Sequence, residues 1–499
     1  MSRVLEAIAL YAETQPGHMA VQGNTVDQSL NYAELRQVIT DLATELQQHD
    51  IRVFGMMMEN SPAWIVADLA AIHAGIAVVP VPHFFSPQQI HHLLQQSGLQ
   101  GLITDRPDQL QGLLTSMGVT IVRHVPLLDG RLSLLMIYTG QASSIPAAIA
   151  KVTFTSGSTG NPKGVCLSQR VIEVVAASLA EATSASSDDV HLSVLPYATL
   201  LENIGGIYAP LLSGASVCAY ALASVGLEGA SGLDVKRFVG ALHASAATTC
   251  ILIPQMLHAL VAALETGIPK PERLRYIAVG GAPVSKHLLE RAKALGLPVY
   301  EGYGLSEAAS VVAVNRPDAC RPGSVGKVLP HVELSFADDG EIVVSGNLFS
   351  GYLGEAEQKE KDRWPTGDIG YLDNDGFLHL SGRKKHIFIT AFGRNVSPEW
   401  VEGELTTEAS VAQACVFGEA KPFNVAIITV REGCDDKMVE HAVQAANGRL
   451  PDYARVHRWI VSDEPFSVAN GMWTGTSRPR REQIWKVYGA RLESLFPEE

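Results

Sequence analysis

The chain has 499 residues, of which 46% are hydrophobic and 18% charged, which is the balance of an ordinary globular protein. A chain of this length exceeds what one hydrophobic core organises, so we expect at least two domains. The formal net charge of −14 disfavours nucleic acid as a main partner, because an acidic surface repels a polyanion.

Neither a disulfide framework nor a membrane span is expected from the sequence. The six cysteines are widely spaced and form no CxxC pair, which argues against a zinc site and fits a reducing cytoplasm. Residues 1–18 contain no long apolar core after a basic start, so we predict no signal peptide. The most apolar stretch, residues 64–85, is interrupted by Asp68, Gly75 and Pro80, and predicts a helix followed by a buried strand.

Helical and strand patterns alternate through the first part of the chain. Apolar residues recur at helical spacing over residues 32–49, residues 51–58 form a short run typical of a strand, and residues 62–73 predict the next helix. Further short strands are expected at residues 76–81, 101–105, 216–221, 249–253, 275–279 and 298–300. This alternation predicts a mostly parallel sheet with helices on its faces.

The pattern changes after about Pro330. Short strands separated by Asp-Asp-Gly at 338–340 and Asn-Asp-Gly at 374–376 predict antiparallel hairpins. The basic triplet 383–385 is followed by a smaller α+β pattern. We therefore predict an α/β fold with two domains. Residues 1–384 form a large N-terminal domain of mostly parallel sheets plus a β-rich subdomain, and residues 385–499 form a small α+β C-terminal domain.

Residues 154–164 predict a site for phosphate groups. They read Phe-Thr-Ser-Gly-Ser-Thr-Gly-Asn-Pro-Lys-Gly, a segment rich in hydroxyl groups and glycines. Glycine lets backbone N–H groups approach an anion closely, and Lys163 adds a mobile positive charge. The segment is not a Walker A motif, because Pro162 precedes the lysine where that motif has glycine. A flexible linker is the alternative, but the embedded Pro-Lys-Gly and the apolar flanks argue against it.

Shorter strings further along the chain offer groups suited to a nucleotide. Residues 280–285 (Gly-Gly-Ala-Pro-Val-Ser) follow a predicted strand. In residues 301–307, Tyr303 offers an aromatic face, Ser306 a hydroxyl donor and Glu307 a hard carboxylate. Each string taken alone is equally typical of an ordinary turn or of packing in a loop.

In this order, the strings closely resemble the signatures of the adenylate-forming superfamily, which includes acyl-CoA synthetases, firefly luciferase and the adenylation domains of peptide synthetases. The resemblance begins at residues 31–35, covers nearly the whole chain and is closest to acyl-CoA synthetases. It implies that Asp368 in Thr-Gly-Asp and Arg383 in Ser-Gly-Arg approach the ribose. It also implies that residues 1–384 bind ATP and the acyl group, and that residues 385–499 form a mobile lid turning about Lys385.

The resemblance implies a set of site residues. The nucleotide and coenzyme would be bound by Thr155, Ser156, Gly157, Ser158, Thr159, Gly160, Lys163, Gly281, Ala282, Tyr303, Gly304, Ser306, Asp368, Arg383 and Gly393. The catalytic residues would be Lys163, Thr159, Glu307 and Arg478, with Glu307 as the metal ligand. Gly393 would border the path of the thiol arm of coenzyme A, where a side chain would obstruct it.

The sequence departs from the family at the lysine that normally reaches the substrate carboxylate, because Arg478 occupies that position. Three interpretations are open. Arg478 does the work of the lysine; or another cation, such as Arg480, Arg481 or Lys486, does it; or acid activation is impaired. We favour the first, since arginine keeps the charge but spreads it over a wider, planar group.

A second departure concerns the acyl group. Thr199 occupies a position where fatty-acyl and aryl ligases commonly have histidine or another aromatic residue. The aspartate that holds an amino group in the peptide-synthetase branch is missing at about Tyr197, which disfavours an α-amino acid because a buried ammonium needs a counter-charge. Nearby residues are mainly apolar or small, so we expect a fatty or other hydrophobic acid.

The resemblance therefore implies an ATP- and Mg²⁺-dependent ligase. It would convert a small-molecule carboxylic acid to acyl-AMP and pass the acyl group to a thiol, most simply that of coenzyme A. Two alternatives stay open. The acceptor is the thiol of a carrier protein or an amine, or the chain is a nucleotide-binding member of the family with little turnover.

Overall fold

The computed structural model describes residues 2–140, 143–155, 162–228, 232–355, 361–474 and 478–496. Its α-helices are α1 (Arg3–Thr14), α2 (Tyr32–Gln47), α3 (Pro62–Ala74), α4 (Pro87–Ser97), α5 (Pro107–Ser116), α6 (Gln169–Ala182), α7 (Leu200–Glu202), α8 (Ala209–Leu212), α9 (Val235–Ala244), α10 (Pro254–Glu265), α11 (Lys286–Ala294), α12 (Pro398–Thr406), α13 (Asp436–Arg449) and α14 (Arg481–Glu493). A π-helix, Asn203–Tyr208, connects α7 directly to α8. The predicted helices at residues 32–49 and 62–73 are confirmed as α2 and α3.

The strands are grouped here in chain order. Those before residue 230 are β1 (Met19–Gln22), β2 (Leu30–Asn31), β3 (Val53–Met56), β4 (Ala77–Pro80), β5 (Gly101–Thr104), β6 (Thr120–Leu127), β7 (Leu132–Tyr138), β8 (Lys151–Thr155), β9 (Lys163–Leu167), β10 (Val190–Leu192), β11 (Ser216–Cys218) and β12 (Leu227–Glu228). The later ones are β13 (Gly232–Leu233), β14 (Thr249–Leu252), β15 (Tyr276–Val279), β16 (Val299–Tyr303), β17 (Ala313–Val314), β18 (Lys327–Val328), β19 (Val332–Phe336), β20 (Glu341–Gly346), β21 (Arg363–Leu372), β22 (Leu378–Arg383), β23 (Phe388–Ile389), β24 (Asn395–Val396), β25 (Val411–Phe417), β26 (Asn424–Val430) and β27 (Val456–Val461).

One sheet of the described residues has the strand order β6-β7-β5-β3-β4-β8-β9. Its centre is parallel, as predicted, through the pairs β3–β4, β3–β5 and β4–β8. Both edges are antiparallel, and at one of them β8 and β9 form a hairpin. Helix α3, which joins β3 to β4, begins at the Ser61 cap and ends at Gly75, whose φ of 71° suits glycine.

A second sheet has the order β18-β17-β16-β15-β14-β10-β11-β1-β2 among the described residues. The pairs β10–β14, β14–β15 and β15–β16 are parallel. The carboxyl ends of β15 and β16 therefore meet at one edge of the sheet. Because residues 280–285 follow β15 and residues 304–307 follow β16, two of the predicted nucleotide strings lie side by side there.

The predicted antiparallel hairpins after Pro330 are confirmed. Strands β19, β20, β21 and β22 form an antiparallel sheet in chain order. The turns between β19 and β20 and between β21 and β22 contain Gly340 and Gly376, with φ of 81° and 79°. These left-handed conformations explain why both turn sequences end in glycine.

The C-terminal region has its own α+β arrangement. Strands β25, β26 and β27 form a sheet, antiparallel between the first two and parallel between the last two, and α12 packs against β25. Hydrophobic clusters in the described part of the chain separate near the basic triplet, since Leu378 is the last member on one side and Phe388 the first on the other. Among the described residues, no helix is both long and apolar enough to cross a membrane.

Candidate active site

The hairpin β8–β9 presents the ends of the predicted phosphate loop. Thr155 and Lys163 face each other in register at the end of the hairpin next to this loop, and the Lys163 side chain is exposed. The predicted residues Ser156, Gly157, Ser158, Thr159 and Gly160 lie outside the described residues. The structure therefore places the two flanks of this loop at the edge of the first sheet.

Tyr352 connects Lys163 to Glu307. The Tyr352 hydroxyl donates a hydrogen bond of 2.7 Å to Glu307 Oε1, and Lys163 Nζ lies 4.9 Å from the centre of the tyrosine ring, within the range of a cation–π contact. Backbone contacts hold Tyr352 in place. Tyr352 forms an antiparallel β-bridge with Val165 on β9, and the N–H of Leu353 donates to the carbonyl oxygen of Gly164 at 2.7 Å. Sequence reasoning missed Tyr352, which belongs to none of the strings that resemble the family.

Glu307 fits the role of a magnesium ligand that works with a nucleotide. Within the described ranges, no group of three or more His, Cys, Asp or Glu side chains is arranged to hold a metal ion. Mg²⁺ is commonly bound by one or two carboxylates together with substrate phosphates and water, so a single hard carboxylate beside a phosphate loop suffices. The Tyr352 hydroxyl fixes one oxygen of that carboxylate and so orients it.

Tyr303, Asp368 and Arg383 form a second group. The Tyr303 hydroxyl donates to Asp368 Oδ2 at 2.7 Å, and Arg383 Nε lies 2.8 Å from Asp368 Oδ1. Asp368 and Arg383 are also direct partners in the β21–β22 ladder. Burial raises the pKa of Asp368 above its ordinary value, against the opposing effect of Arg383. Each carboxylate oxygen keeps a second lone pair, so this group can still accept hydrogen bonds from a ribose.

Two glycines at this edge are required by geometry. A Cβ atom on Gly304 would lie 1.5 Å from the carbonyl oxygen of Ser310, which leaves no room for a side chain. Gly281 has a φ of 82°, a conformation that other residues rarely adopt. The glycines in these two strings thus allow close backbone packing and a left-handed turn beside the predicted nucleotide site.

Arg478 lies at this edge. Its guanidinium donates to the carbonyl oxygen of Gly281 and is exposed to the adjoining cavity. The pKa of Arg478 is lowered from its ordinary value, first by desolvation and then by the nearby Arg383. Arginine nevertheless stays charged, so Arg478 brings a positive charge to this edge.

The other cations considered for this role lie elsewhere. Arg481 is committed to an ion pair with Glu402, at 2.6 Å, and lies 3.5 Å from Glu399. Lys486 is exposed on α14, and Arg480 immediately precedes that helix. The positions of the side chains therefore favour Arg478 as the catalytic cation, although its role stays a prediction.

Gly393 does not join these residues. It lies in an exposed turn with a φ of 71°, and its neighbour Phe392 is 76% exposed. Gly393 is not among the described residues that line the cavity. The segment next to the predicted hinge is instead held by contacts on both sides of Lys385, an ion pair between Lys384 and Glu341 at 2.7 Å and a hydrogen bond between His386 and Glu399 at 2.6 Å.

A cavity of about 410 Å³ extends from this edge into the protein. Seven of the predicted site residues line its outer part, namely Thr155, Gly281, Ala282, Tyr303, Gly304, Ser306 and Arg478. The inner part is mainly apolar, with Leu179, Leu200 and Ile251 in its wall, and Thr199 is also part of the lining. The arrangement brings groups suited to an adenine nucleotide next to a channel suited to an apolar chain.

Comparisons with known proteins agree with this geometry. The sequence profile described as AMP-binding enzyme matches residues 8–353, and the profile described as AMP-binding enzyme C-terminal domain matches residues 385–499. The chain belongs to the AMP-binding enzyme family.

Relatives and solved structures extend the likeness over nearly the full length. The long-chain-fatty-acid–CoA ligase FadD15 of Mycobacterium bovis is 26% identical, over 87% of this chain and 86% of the relative. The anthranilate CoA ligase AuaEII in complex with anthranoyl-AMP has a TM-score of 0.81 at 17% identity, covering 99% of this chain and 98% of that one. O-succinylbenzoate coenzyme A synthetase (MenE) from Bacillus subtilis, in complex with ATP and magnesium ion, has a TM-score of 0.76 at 23% identity, covering 97% and 99%. At these identities the two structures show the α/β fold with its large N-terminal domain and its C-terminal domain.

Proposed function

We propose that the protein activates a hydrophobic carboxylic acid with ATP, forming acyl-AMP and pyrophosphate, and then transfers the acyl group to the thiol of coenzyme A. The observation that carries the proposal is a cavity that joins an apolar channel to Gly281, Tyr303 and Arg478. The likeness to a long-chain-fatty-acid–CoA ligase over most of the chain supports both the reaction and a hydrophobic substrate. We place the reaction in the cytoplasm, as the cysteine pattern predicts.

In the first step, a carboxylate oxygen of the acid attacks the α-phosphorus of ATP in line. The bond between that phosphorus and the bridging oxygen breaks, and pyrophosphate leaves. The chain contributes position and charge: Asp368 and Tyr303 hold the nucleoside, and Arg478 attracts the acid's carboxylate. Lys163 faces the phosphates from the start of β9. Mg²⁺ bound by Glu307 and the phosphates would neutralise charge on the leaving pyrophosphate.

In the second step, the thiol attacks the acyl carbonyl, the bond from that carbon to the AMP oxygen breaks, and the thiol proton is released. Arg478 occupies the site in this structure while Gly393 is exposed. The lid of residues 385–499 would turn about Lys385 against residues 1–384, withdrawing Arg478 and bringing Gly393 to the cavity. Such a turn lets one site perform two reactions in succession.

The direct test is to incubate the protein with ATP, Mg²⁺ and a panel of carboxylic acids and to measure acid-dependent pyrophosphate release. Coenzyme A is then added, and acyl-CoA is detected by mass spectrometry. We expect release with hydrophobic acids and a thioester product. Absence of release with every acid would contradict the proposal. Pyrophosphate release without formation of acyl-CoA would indicate that the acyl acceptor is an amine or the thiol of a carrier protein.

A second candidate function rests on Arg478. If arginine cannot replace the lysine of the family, the protein binds ATP or AMP and turns over little. In that case both nucleotides would raise the melting temperature, pyrophosphate release would stay at background, and Arg478→Lys would produce a large gain in release. The contact between Arg478 and Gly281 favours the enzyme, since the guanidinium already occupies the site.

A further inference from the structure

The inner part of the cavity follows two neighbouring strands. Residues 249–251 of β14 and Tyr276, Ala278 and Val279 of β15 contribute to its wall, and the edge with the predicted nucleotide strings lies at the carboxyl end of β15, at residues 280–282. Arg275, which immediately precedes β15, lies at the opposite end of the lining. At about 3.3 Å per residue, the distance along the strand from Arg275 to Gly281 is roughly 20 Å. The cavity is therefore an elongated channel.

Gly205 on the π-helix marks the middle of this channel. A Cβ atom on Gly205 would lie 2.9 Å from Ile251 Cδ1, and Ile251 is paired in register with Ala278 in the middle of β15. All three residues line the cavity. A side chain at Gly205 would narrow the channel halfway along, so the channel suits a narrow chain better than a wide ring system.

An ion pair stands at the far end. Arg275 Nε lies 2.6 Å from Asp189 Oδ1, and a second guanidinium nitrogen bonds the other carboxylate oxygen. Arg275 also donates to the carbonyl oxygen of Thr183 at 2.8 Å, and Thr248 Oγ1 donates to Asp189 at 2.8 Å. The guanidinium nitrogens and the carboxylate oxygens therefore have hydrogen-bond partners, and the methyl end of an acyl chain could not replace those partners. The Asp189 side chain is 6% exposed and that of Arg275 is 34% exposed, so the carboxylate is buried while the guanidinium is partly accessible.

We propose that the Asp189–Arg275 ion pair is the end wall of the acyl channel and sets the longest unbranched apolar acid that the protein activates. The inference rests on the proposed function. An acyl chain that reaches the pair meets charged groups and offers them no hydrogen bond. A longer chain must push the guanidinium away from Asp189, which leaves a buried carboxylate without its partner and is strongly unfavourable.

The test is the chain-length profile of pyrophosphate release, measured as kcat/KM for octanoate, decanoate, laurate, myristate and palmitate. We expect the wild-type chain to show a sharp fall beyond one acid in this series. The variant Asp189→Ala/Arg275→Ala removes both charges, and we expect it to raise kcat/KM for the next longer acid about tenfold relative to the shorter ones. The matched control Asp463→Ala/Arg491→Ala removes an exposed Asp–Arg ion pair, at 2.8 Å, outside the cavity lining. We expect it to leave the profile unchanged.

Two further variants should shift the profile in the opposite direction. Gly205→Ala adds a methyl group halfway along the channel, and Ala185→Leu adds bulk beside the ion pair without removing it. We expect both to reduce kcat/KM for the longest accepted acid about tenfold while sparing octanoate. If the double alanine variant does not fold, these two variants still test whether the far end of the channel limits the length of the acid.

The outcomes separate the end wall from the reaction itself. Failure of the wild-type chain to release pyrophosphate with any acid contradicts the proposed function. The wild-type chain could release pyrophosphate while Asp189→Ala/Arg275→Ala and Ala185→Leu both leave the chain-length profile unchanged. That result overturns the proposal that the ion pair is the end wall, and it leaves the proposed ligase activity standing. A wild-type profile that stays flat as far as palmitate overturns the end wall as well.

Discussion

The two ends of the cavity are built on different principles. At the nucleotide end, residues 280–285 and 301–307 are short strings whose spacing is fixed by local backbone geometry, as with Gly304 against Ser310. At the acyl end, the wall comes from α6, the π-helix, β14 and β15, and its closing contact joins residues 86 positions apart. The nucleotide is the same molecule in every turnover, so short fixed sequence motifs can build its site. The residues of the acyl wall can differ according to which acid the protein uses.

This difference predicts how the ends respond to substitution. Changes at the nucleotide end should reduce stability or the use of ATP with every acid. Changes at the acyl end should alter the choice of acid and leave the use of ATP unchanged. The predictions below test this contrast, starting with the largest expected effect.

Gly304→Ala should be the most damaging single substitution. The new Cβ atom would collide with the backbone carbonyl of Ser310, which cannot move aside as a side chain can. We expect the free energy of unfolding to fall by about 4 kcal/mol, measured by urea denaturation. The control is Gly240→Ala on helix α9, where no atom lies within 4 Å of the new Cβ and the change should be neutral or slightly stabilising. Equal stability of the two variants would show that the backbone at Gly304 is not tightly packed.

Asp368→Ala should disable the use of ATP. It removes the acceptor of the Tyr303 hydroxyl and leaves Arg383 without its partner. We expect kcat/KM for ATP to fall roughly a hundredfold, while the preference among acids is unchanged. Asp373→Ala is the matched control, because Asp373, just after β21, also pairs with an arginine, Arg321, and lies 3.0 Å from His379, outside the cavity lining. An unchanged KM for ATP in folded Asp368→Ala would remove this residue from the nucleotide site.

Much of the nucleotide end could be predicted from the sequence, because its chemistry is encoded locally. Tyr303, Asp368 and Arg383 were expected to serve one nucleoside, and the structure brings them into hydrogen-bonding contact. The central parallel strands and the later hairpins followed from periodicity and from glycine-containing turns. The strand and turn predictions depended on neighbours within a few residues of one another, whereas the roles of Asp368 and Arg383 were implied by the resemblance to the family.

Other features could not be predicted, because they depend on packing between distant segments. Nothing in the sequence near Tyr352 indicates that its hydroxyl meets Glu307, 45 positions away. The pairing of Asp189 with Arg275 likewise appears only when β10 and β15 are placed in one sheet. The antiparallel β8–β9 hairpin departs from the parallel pattern, because its short connection cannot cross over a sheet.

Arg478→Lys should have an intermediate effect and tests whether the site is built around arginine. Lysine lacks the planar guanidinium that bonds the carbonyl oxygen of Gly281 while facing the cavity. We expect pyrophosphate release to fall about tenfold with all acids. A large gain in pyrophosphate release would instead show that the natural arginine limits activity, and it would favour the alternative of a nucleotide-binding protein with little turnover. Lys486→Arg on the exposed face of α14 is the control and should have no effect.

Tyr352→Phe should have the smallest effect and tests the link between Lys163 and Glu307. The substitution keeps the ring beneath Lys163 Nζ and removes the hydroxyl that donates to Glu307 Oε1. A less well oriented carboxylate binds Mg²⁺ more weakly, so we expect the Mg²⁺ concentration for half-maximal pyrophosphate release to rise about fivefold. The stabilisation against heat by ATP should shrink in Mg²⁺ and stay unchanged in EDTA, a readout independent of turnover.

The control for this substitution is Tyr371→Phe, since Tyr371 is 54% exposed and stacks on His379, outside the cavity lining. It should match the wild-type chain in both measurements. If Tyr352→Phe also matches the wild-type chain, the hydroxyl does not orient the metal ligand, and the bond to Glu307 serves packing alone. A rise in the Mg²⁺ requirement would instead extend the nucleotide end of the cavity to a residue outside every string that the sequence displays, so that even this end depends partly on distant packing.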